Sequence, residues 1–200
     1  MSSLPFGRPK EPVIRDRNAW GLPENARPRD RTGRPLPYDT SRTDLTQAWE
    51  YDTVEEALAA ARWLWDEQRF FEAHECLEDV WHHAPDGDRA FWKGVIQVAV
   101  ACVHHQRDNA SGVVASCAKA VGNLADYPDV HHGIDVEQLR VFCDGVAVVV
   151  QEAGCVEVGY PEFPTMDDGP WFDADRLRTP LSRKPPWQVA AEQRQSSESP

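Results

Sequence analysis

The sequence predicts an all-α fold: one bundle of about five helices spanning residues 45–155, with irregular, Pro-rich arms over 1–44 and 156–200. Three observations point there. Five successive stretches between 53 and 154 space their apolar residues three and four apart, the period of a helix with one buried face. Capping residues stand at the head of several of them. Prolines and turn formers crowd the two ends instead, where they exclude regular helix.

The first helix opens with a capping box, Thr53 followed three residues later by Glu56, and continues as EEALAAARWLWDEQ with Leu58, Ala61, Leu64 and Trp65 on one face. The second is FFEAHECLEDVWHHA, closed by Pro85 and the turn Asp86-Gly87-Asp88. The third, about Arg89 to Arg107, is apolar most of the way round and is therefore expected at the centre. Asn109 and Gly112 mark a turn before the fourth, SGVVASCAKAVGNLADY. Asp135 caps the fifth, DVEQLRVFCDGVAVVVQEAG. Its VAVVV run has strand propensity, but no partner strand is evident, so it reads as helix.

Composition narrows the function classes. Two hundred residues with 41% hydrophobic content fit one domain with tails. No apolar run reaches the roughly 20 residues of a membrane span. The opening MSSLPFGRPKEPVIRDR has no apolar stretch after its basic residues and does not read as a secretory signal. Five widely spaced cysteines without a C-x-x-C argue against a disulfide framework or zinc knuckle, and point to a cytoplasmic protein. Residues 45–175 hold 7 Lys/Arg against 25 Asp/Glu, an acidic body unsuited to a nucleic-acid backbone. Residues 1–44 hold 9 against 6 and are net basic. Phosphate-binding Gly-rich loops and G-x-S-x-G elbows are missing.

The chemistry concentrates on the second helix. On a helical wheel Ala73, Leu77, Val80, Trp81 and Ala84 form the apolar seam, while Phe71, His74, Glu75, Glu78 and His82 form one stripe beside it. An aromatic among those polar groups predicts a flank that is at least partly covered. His74 and Glu78 lie one turn apart, as two ligands of one ion would. The pattern is His-Glu-x-x-Glu, where a zinc peptidase has His-Glu-x-x-His, so a carboxylate stands at the second ligand position. With His104 as third ligand, the set of His74, Glu78 and His104 suits a divalent Zn, Fe or Mn ion, and Glu75 would act as base. On the third helix Lys93, Gln97, His104 and Asp108 share a stripe that is either turned to that flank or to solvent. The second member of each pair His82-His83, His104-His105 and His131-His132 is expected at the surface.

FFEAHECLEDVW followed by WKGVIQVAVACVHHQRDNASG resembles the domain-of-unknown-function family 309, small bacterial all-α proteins. The matching positions are Phe71, Glu72, Ala73, His74, Glu75, Leu77, Glu78 and Trp81, then Gly94, Ile96, Gln97, Ala99, Ala101 and His104, with Asn109 and Gly112. NARPRDRTGRPLPY is similar to the N-terminal arm of actinobacterial members. The resemblance implies a helical bundle in which the His-Glu-x-x-Glu flank and the Gln/His helix belong to one feature, and implies no activity.

Two main readings follow. In the first, His74, Glu75, Glu78, Gln97 and His104 form an internal polar network in a binding or structural module, acting through a protein partner or as a homodimer. In the second, the flank is the centre of a metal-dependent hydrolase-like enzyme. A third, metal-free variant makes Glu75 and Glu78 an acid/base pair with His74 as shuttle. The charge asymmetry adds an expectation for the basic arm: Arg27, Arg29 and Arg34 lie across the bundle and pair with Glu75 or Glu78. No substrate or small-molecule ligand can be read from the residues.

Overall fold

The computed structural model describes residues 28–40, 46, 51 and 53–166. Arg27, the aromatic residues Trp171, Phe172 and Trp187, and the end of the C-terminal arm lie outside the described residues. Five helices follow in order: α1 (Val54–Asp66), α2 (Phe70–His83), α3 (Arg89–Gln106), α4 (Ala110–Leu124) and α5 (Val136–Ala153). A short 3-10 turn, Asp86–Asp88, joins α2 to α3.

Sequence-encoded caps set three of the starts. Thr53 accepts a hydrogen bond from the Glu56 amide at 3.1 Å, Asn109 from Gly112 at 3.1 Å, and Asp135 from Gln138 at 2.8 Å. Each satisfies an amide that the helix itself leaves without a partner. The VAVVV run is helical because Cys143, Val146 and Val150 recur at helical spacing and all are buried. Tertiary packing outweighs local β-propensity there.

Each helix packs chiefly on its neighbours in sequence, so the bundle runs up and down, with α3 between α2 and α4. That central place explains its apolar circumference: Phe91, Trp92, Val95, Ile96, Val98, Ala99, Cys102 and Val103 are all buried. Gly94 lets α4 approach, since a Cβ there would stand 2.6 Å from Leu124 Cγ. All five cysteines are free thiols, four of them buried.

Three irregular pieces are built onto the helices. Residues 28–36 form a tight hairpin, bridged between Arg29 and Pro35. Its turn is organised by Asp30, whose Oδ1 accepts from the Thr32 and Arg34 amides at 2.9 Å each. Burial works against that carboxylate, but the hydrogen bonds from Arg34 and Thr32 outweigh it and hold its pKa below the usual value. A second hairpin pairs β1 (Val130–His131) with β2 (Ile134–Asp135) through a loop of His132 and Gly133. Residues after α5 return across the bundle: Phe163 is buried edge-on against Trp65, whose indole N–H donates to Pro161 O at 2.8 Å. The arm expected from residue 156 is therefore packed as far as the bridge between Ile134 and Thr165.

One substitution should have opposite signs at two helical glycines. Gly94→Ala should destabilise by about 1–3 kcal/mol through overpacking against Leu124. Gly145→Ala, at an exposed α5 position with nothing within 4 Å of the new Cβ, should stabilise by about 0.5–1 kcal/mol. Chemical denaturation of the two variants checks both.

Candidate functional site

The α2 flank meets the N-terminal hairpin at the end of the bundle where α1 and α3 terminate. Gly33 sits on the Phe71 ring with φ of +80°; a side chain there would strain the backbone and overlap the ring. The guanidinium groups of Arg29 and Arg107 lie 5.6 and 5.8 Å from the centroid of that ring. The covered flank inferred from Phe71 is thus present, and the cover is the hairpin.

The arm's arginines reach mainly backbone oxygens. Arg31 Nη2 donates to Glu67 O, and Arg34 Nη2 to Arg107 O at 2.5 Å. These carbonyls belong to the residues that close α1 and α3, where unsatisfied acceptors and the negative end of the helix dipole favour a cation. Arg107 answers by donating from Nε to Thr32 O at 2.8 Å. Arg29 donates to Gly33 O at 2.6 Å, inside the hairpin, and its charge also bears on Glu75. Arg34 therefore acts as a helix cap here, while Arg29 is the arm's electrostatic link to the flank.

The flank side chains do not share one role. His74 Nδ1–H donates to Phe71 O, which leaves Nε2 as the acceptor nitrogen of the neutral ring. Burial lowers the His74 pKa, with Arg107 and Arg29 adding to the effect against the opposing charge of Glu78. Glu75 is half-buried, and burial together with Glu72 and Glu78 pushes its pKa up to about 7, despite Arg29. Glu78 is exposed.

His104 Nδ1 accepts from the Asn109 side-chain amide at 2.9 Å, while Asn109 Oδ1 accepts from Gly112 N. A Cβ at Gly112 would overlap the His104 ring and stand 2.7 Å from Asn109 Nδ2. The His…Asn-x-x-Gly spacing is thus a packed joint between α3 and α4. Gln97 lines a depression with Lys93, Lys119, Gly122 and Asn123, on the α4 side of α3. Of the proposed ligands, His74, Glu78 and His104 do not form a convergent set. Among the described residues, the His, Asp, Glu and Cys groups whose ligand atoms all lie within 4.8 Å of one another are Asp88, His131 and His132.

Sequence reasoning missed several participants. Glu72 is fully buried and held by Arg69 through two hydrogen bonds of 2.6 and 2.7 Å, a bidentate pair of the strong kind. The Arg69-x-x-Glu72 spacing was the available signal. Asp79 accepts from Tyr51 OH, and burial raises its pKa to about 6, against His82 and His83. The surface expectation for His105 fails. That residue is buried, its Nε2–H donating to Val156 O at 2.9 Å, so its Nδ1 accepts from Tyr160 OH at 2.8 Å. The chain after α5 covers it, and no local pattern foretells that.

Residues 58–115 match the family model described as domain of unknown function DUF309. Over 53 residues the chain is 42% identical to the uncharacterized protein YpuF of Bacillus subtilis (strain 168), covering 26% of this chain and 30% of that one. Over 107 residues it is 27% identical to an uncharacterized protein of Aquifex aeolicus (strain VF5), covering 53% of this chain and 30% of that one. The matches thus span under a third of each relative's length.

The Glu75 carboxyl supplies a pH signature. Unfolded, it ionises near 4.5; folded, near about 7, so between those values the folded state keeps a proton that the unfolded state releases. Stability attributable to Glu75 therefore falls as pH rises across that window and is flat above it. Glu75→Gln should make the stability–pH profile shallower there and raise stability at pH ~8 by about 1–3 kcal/mol. Denaturant midpoints of both proteins at a series of pH values provide the check.

Proposed function

We propose that this chain, with its DUF309 segment, is a binding or structural module in which the polar flank of α2 is an internal brace that seats the 28–36 hairpin. One observation carries the reading: Gly33 of the hairpin rests on Phe71, at the N-terminal end of the flank. The neighbouring polar groups support it, because each has a hydrogen-bond partner on the bundle: Glu72 on Arg69, His74 on Phe71 O, His104 on Asn109. Buried polar groups so satisfied fix helix register and segment placement. The folded unit in this reading begins at the hairpin, ahead of residue 45, and extends past 155.

The partner class we assign is protein. The described tryptophans are buried or half-buried, but α5 exposes Val141, Val148 and Val149, a kind of surface that protein partners cover. The acidic body, with 25 Asp/Glu over residues 45–175, disfavours nucleic acid. No described helix is long and apolar enough to cross a membrane. Free, mostly buried thiols fit the cytoplasm.

A second reading keeps Glu75 as an acid/base group, because a carboxyl whose pKa is raised to about 7 is poised for proton transfer near neutrality. His74→Ala tests the brace against a metal-ligand role for the same flank. As a brace, His74 should be worth about 1–3 kcal/mol, and the difference from wild type should be the same with divalent metal or with chelator. A difference that appears only with metal would replace the brace by a ligand set, and an unchanged stability would remove the brace altogether.

A further inference from the structure

At the other end of α3, about 27 Å from the hairpin seat by the length of that helix, Asp88, His131 and His132 converge. Asp88 closes the 3-10 turn and occupies the N-cap position of α3, where an aspartate ordinarily accepts from a helix amide. Its side chain makes no such cap bond. Instead Oδ1 lies 3.0 Å from His131 Nε2 and Oδ2 lies 2.9 Å from His132 Nε2. One carboxylate is thus shared by two imidazoles that arrive from a different element.

The hairpin that brings them is built at some cost. Its two-residue loop, His132-Gly133, has φ of +50° and +71°, the type I′ geometry that asparagine and glycine fill readily. A histidine fills the left-handed region at a higher steric cost than glycine would. The imidazoles are also walled by aromatics. His131 lies 4.7 Å from Phe91 and 5.0 Å from Tyr127, and His132 stacks on Trp92 at 5.9 Å with 17° between planes. His132 is 44% exposed, so the opposite side is open to solvent.

We propose that Asp88, His131 and His132 form a binding site for a divalent first-row transition ion, with Zn(II) the best match. Two neutral imidazoles and one carboxylate are a ligand set suited to that class. Donors held at about 2.0–2.2 Å from a tetrahedral zinc stand about 3.3–3.6 Å apart, and the ligand atoms here already lie within 4.8 Å of one another. Small ring movements, with each imidazole proton passing from Nε2 to Nδ1 through solvent, would replace the two hydrogen bonds by coordination. The carboxylate also offsets the positive end of α3, which would otherwise repel a cation. Three protein ligands leave a further position for water on the exposed side. Bound there, the ion links the start of α3 to the hairpin that leads into α5. This site is distinct from the α2 flank, and His131 and His132 lie beyond residues 58–115, which the family model matches.

The test uses the untagged full chain, stripped with chelator and desalted, titrated with Zn(II) by calorimetry and with Co(II) by visible absorbance. The expected result is one saturable site per chain, a higher Tm with Zn(II), and affinity at least about tenfold weaker in Asp88→Asn and His131→Ala. His132→Asn separates binding from folding: asparagine suits a φ of +50°, so this variant should melt no lower than the wild type without metal while losing the site. His82→Ala/His83→Ala, an exposed pair elsewhere, should bind as the wild type does. Absence of saturable binding in the wild type, or affinity that survives all three ligand substitutions, would overturn the assignment.

Discussion

The termini of α1 and α3 impose the constraint on which the rest of this end of the molecule depends. Each helix closes with carbonyls that have no partner of its own, and the two ends lie side by side beside the α2 flank. Arg31 and Arg34 supply donors to Glu67 O and Arg107 O, and Arg107 donates back to Thr32 O. Capping and arm docking are therefore one set of bonds, favoured by both hydrogen bonding and the helix dipole. Gly33 can then lie flat on Phe71, which covers the N-terminal part of the α2 flank, while Glu78 and His82 farther along stay exposed.

That surface carries more negative charge than packing alone would require. Glu72 is neutralised at close range by Arg69, whereas Glu75 and Asp79 share the same helix with pKa values raised to about 7 and about 6. Burial is the leading cause in both cases, so they report how far the hairpin and the neighbouring helices exclude water. The low pKa of His74 has the same origin. A helix that would be an acidic solvent face in isolation becomes a place where charge is expensive, and Arg29 moderates the effect at Glu75.

Local signals made the helices legible. Thr53, Asn109 and Asp135 stand where a cap is needed, and the apolar spacing of α3 foretold its central place. The resemblance of FFEAHECLEDVW to the DUF309 model was equally readable, because that motif is contiguous. Whatever depends on distant contact was not. Asp88 and His131 are 43 residues apart in sequence, and their meeting rests on a two-residue turn whose first member, His132, is an unusual choice for it. His105 is buried by Tyr160 and Val156 from beyond α5, although its neighbour His104 seemed the inward one. Arg34 was expected to seek a carboxylate by charge, yet a helix terminus at hand takes it.

The central claim is that residues 28–36 are held on the α2 flank. Amide hydrogen exchange resolved to single residues measures this most directly in the wild type and in Phe71→Ala. Asp30, Gly33 and Leu36 donate to Arg34 O, Asp30 O and Pro28 O, so their amides should be protected in the wild type. In Phe71→Ala that protection should fall while the amides of α3 and α4 keep theirs. Unprotected exchange of these three amides in the wild type would contradict the account, as would protection that survives loss of the Phe71 ring.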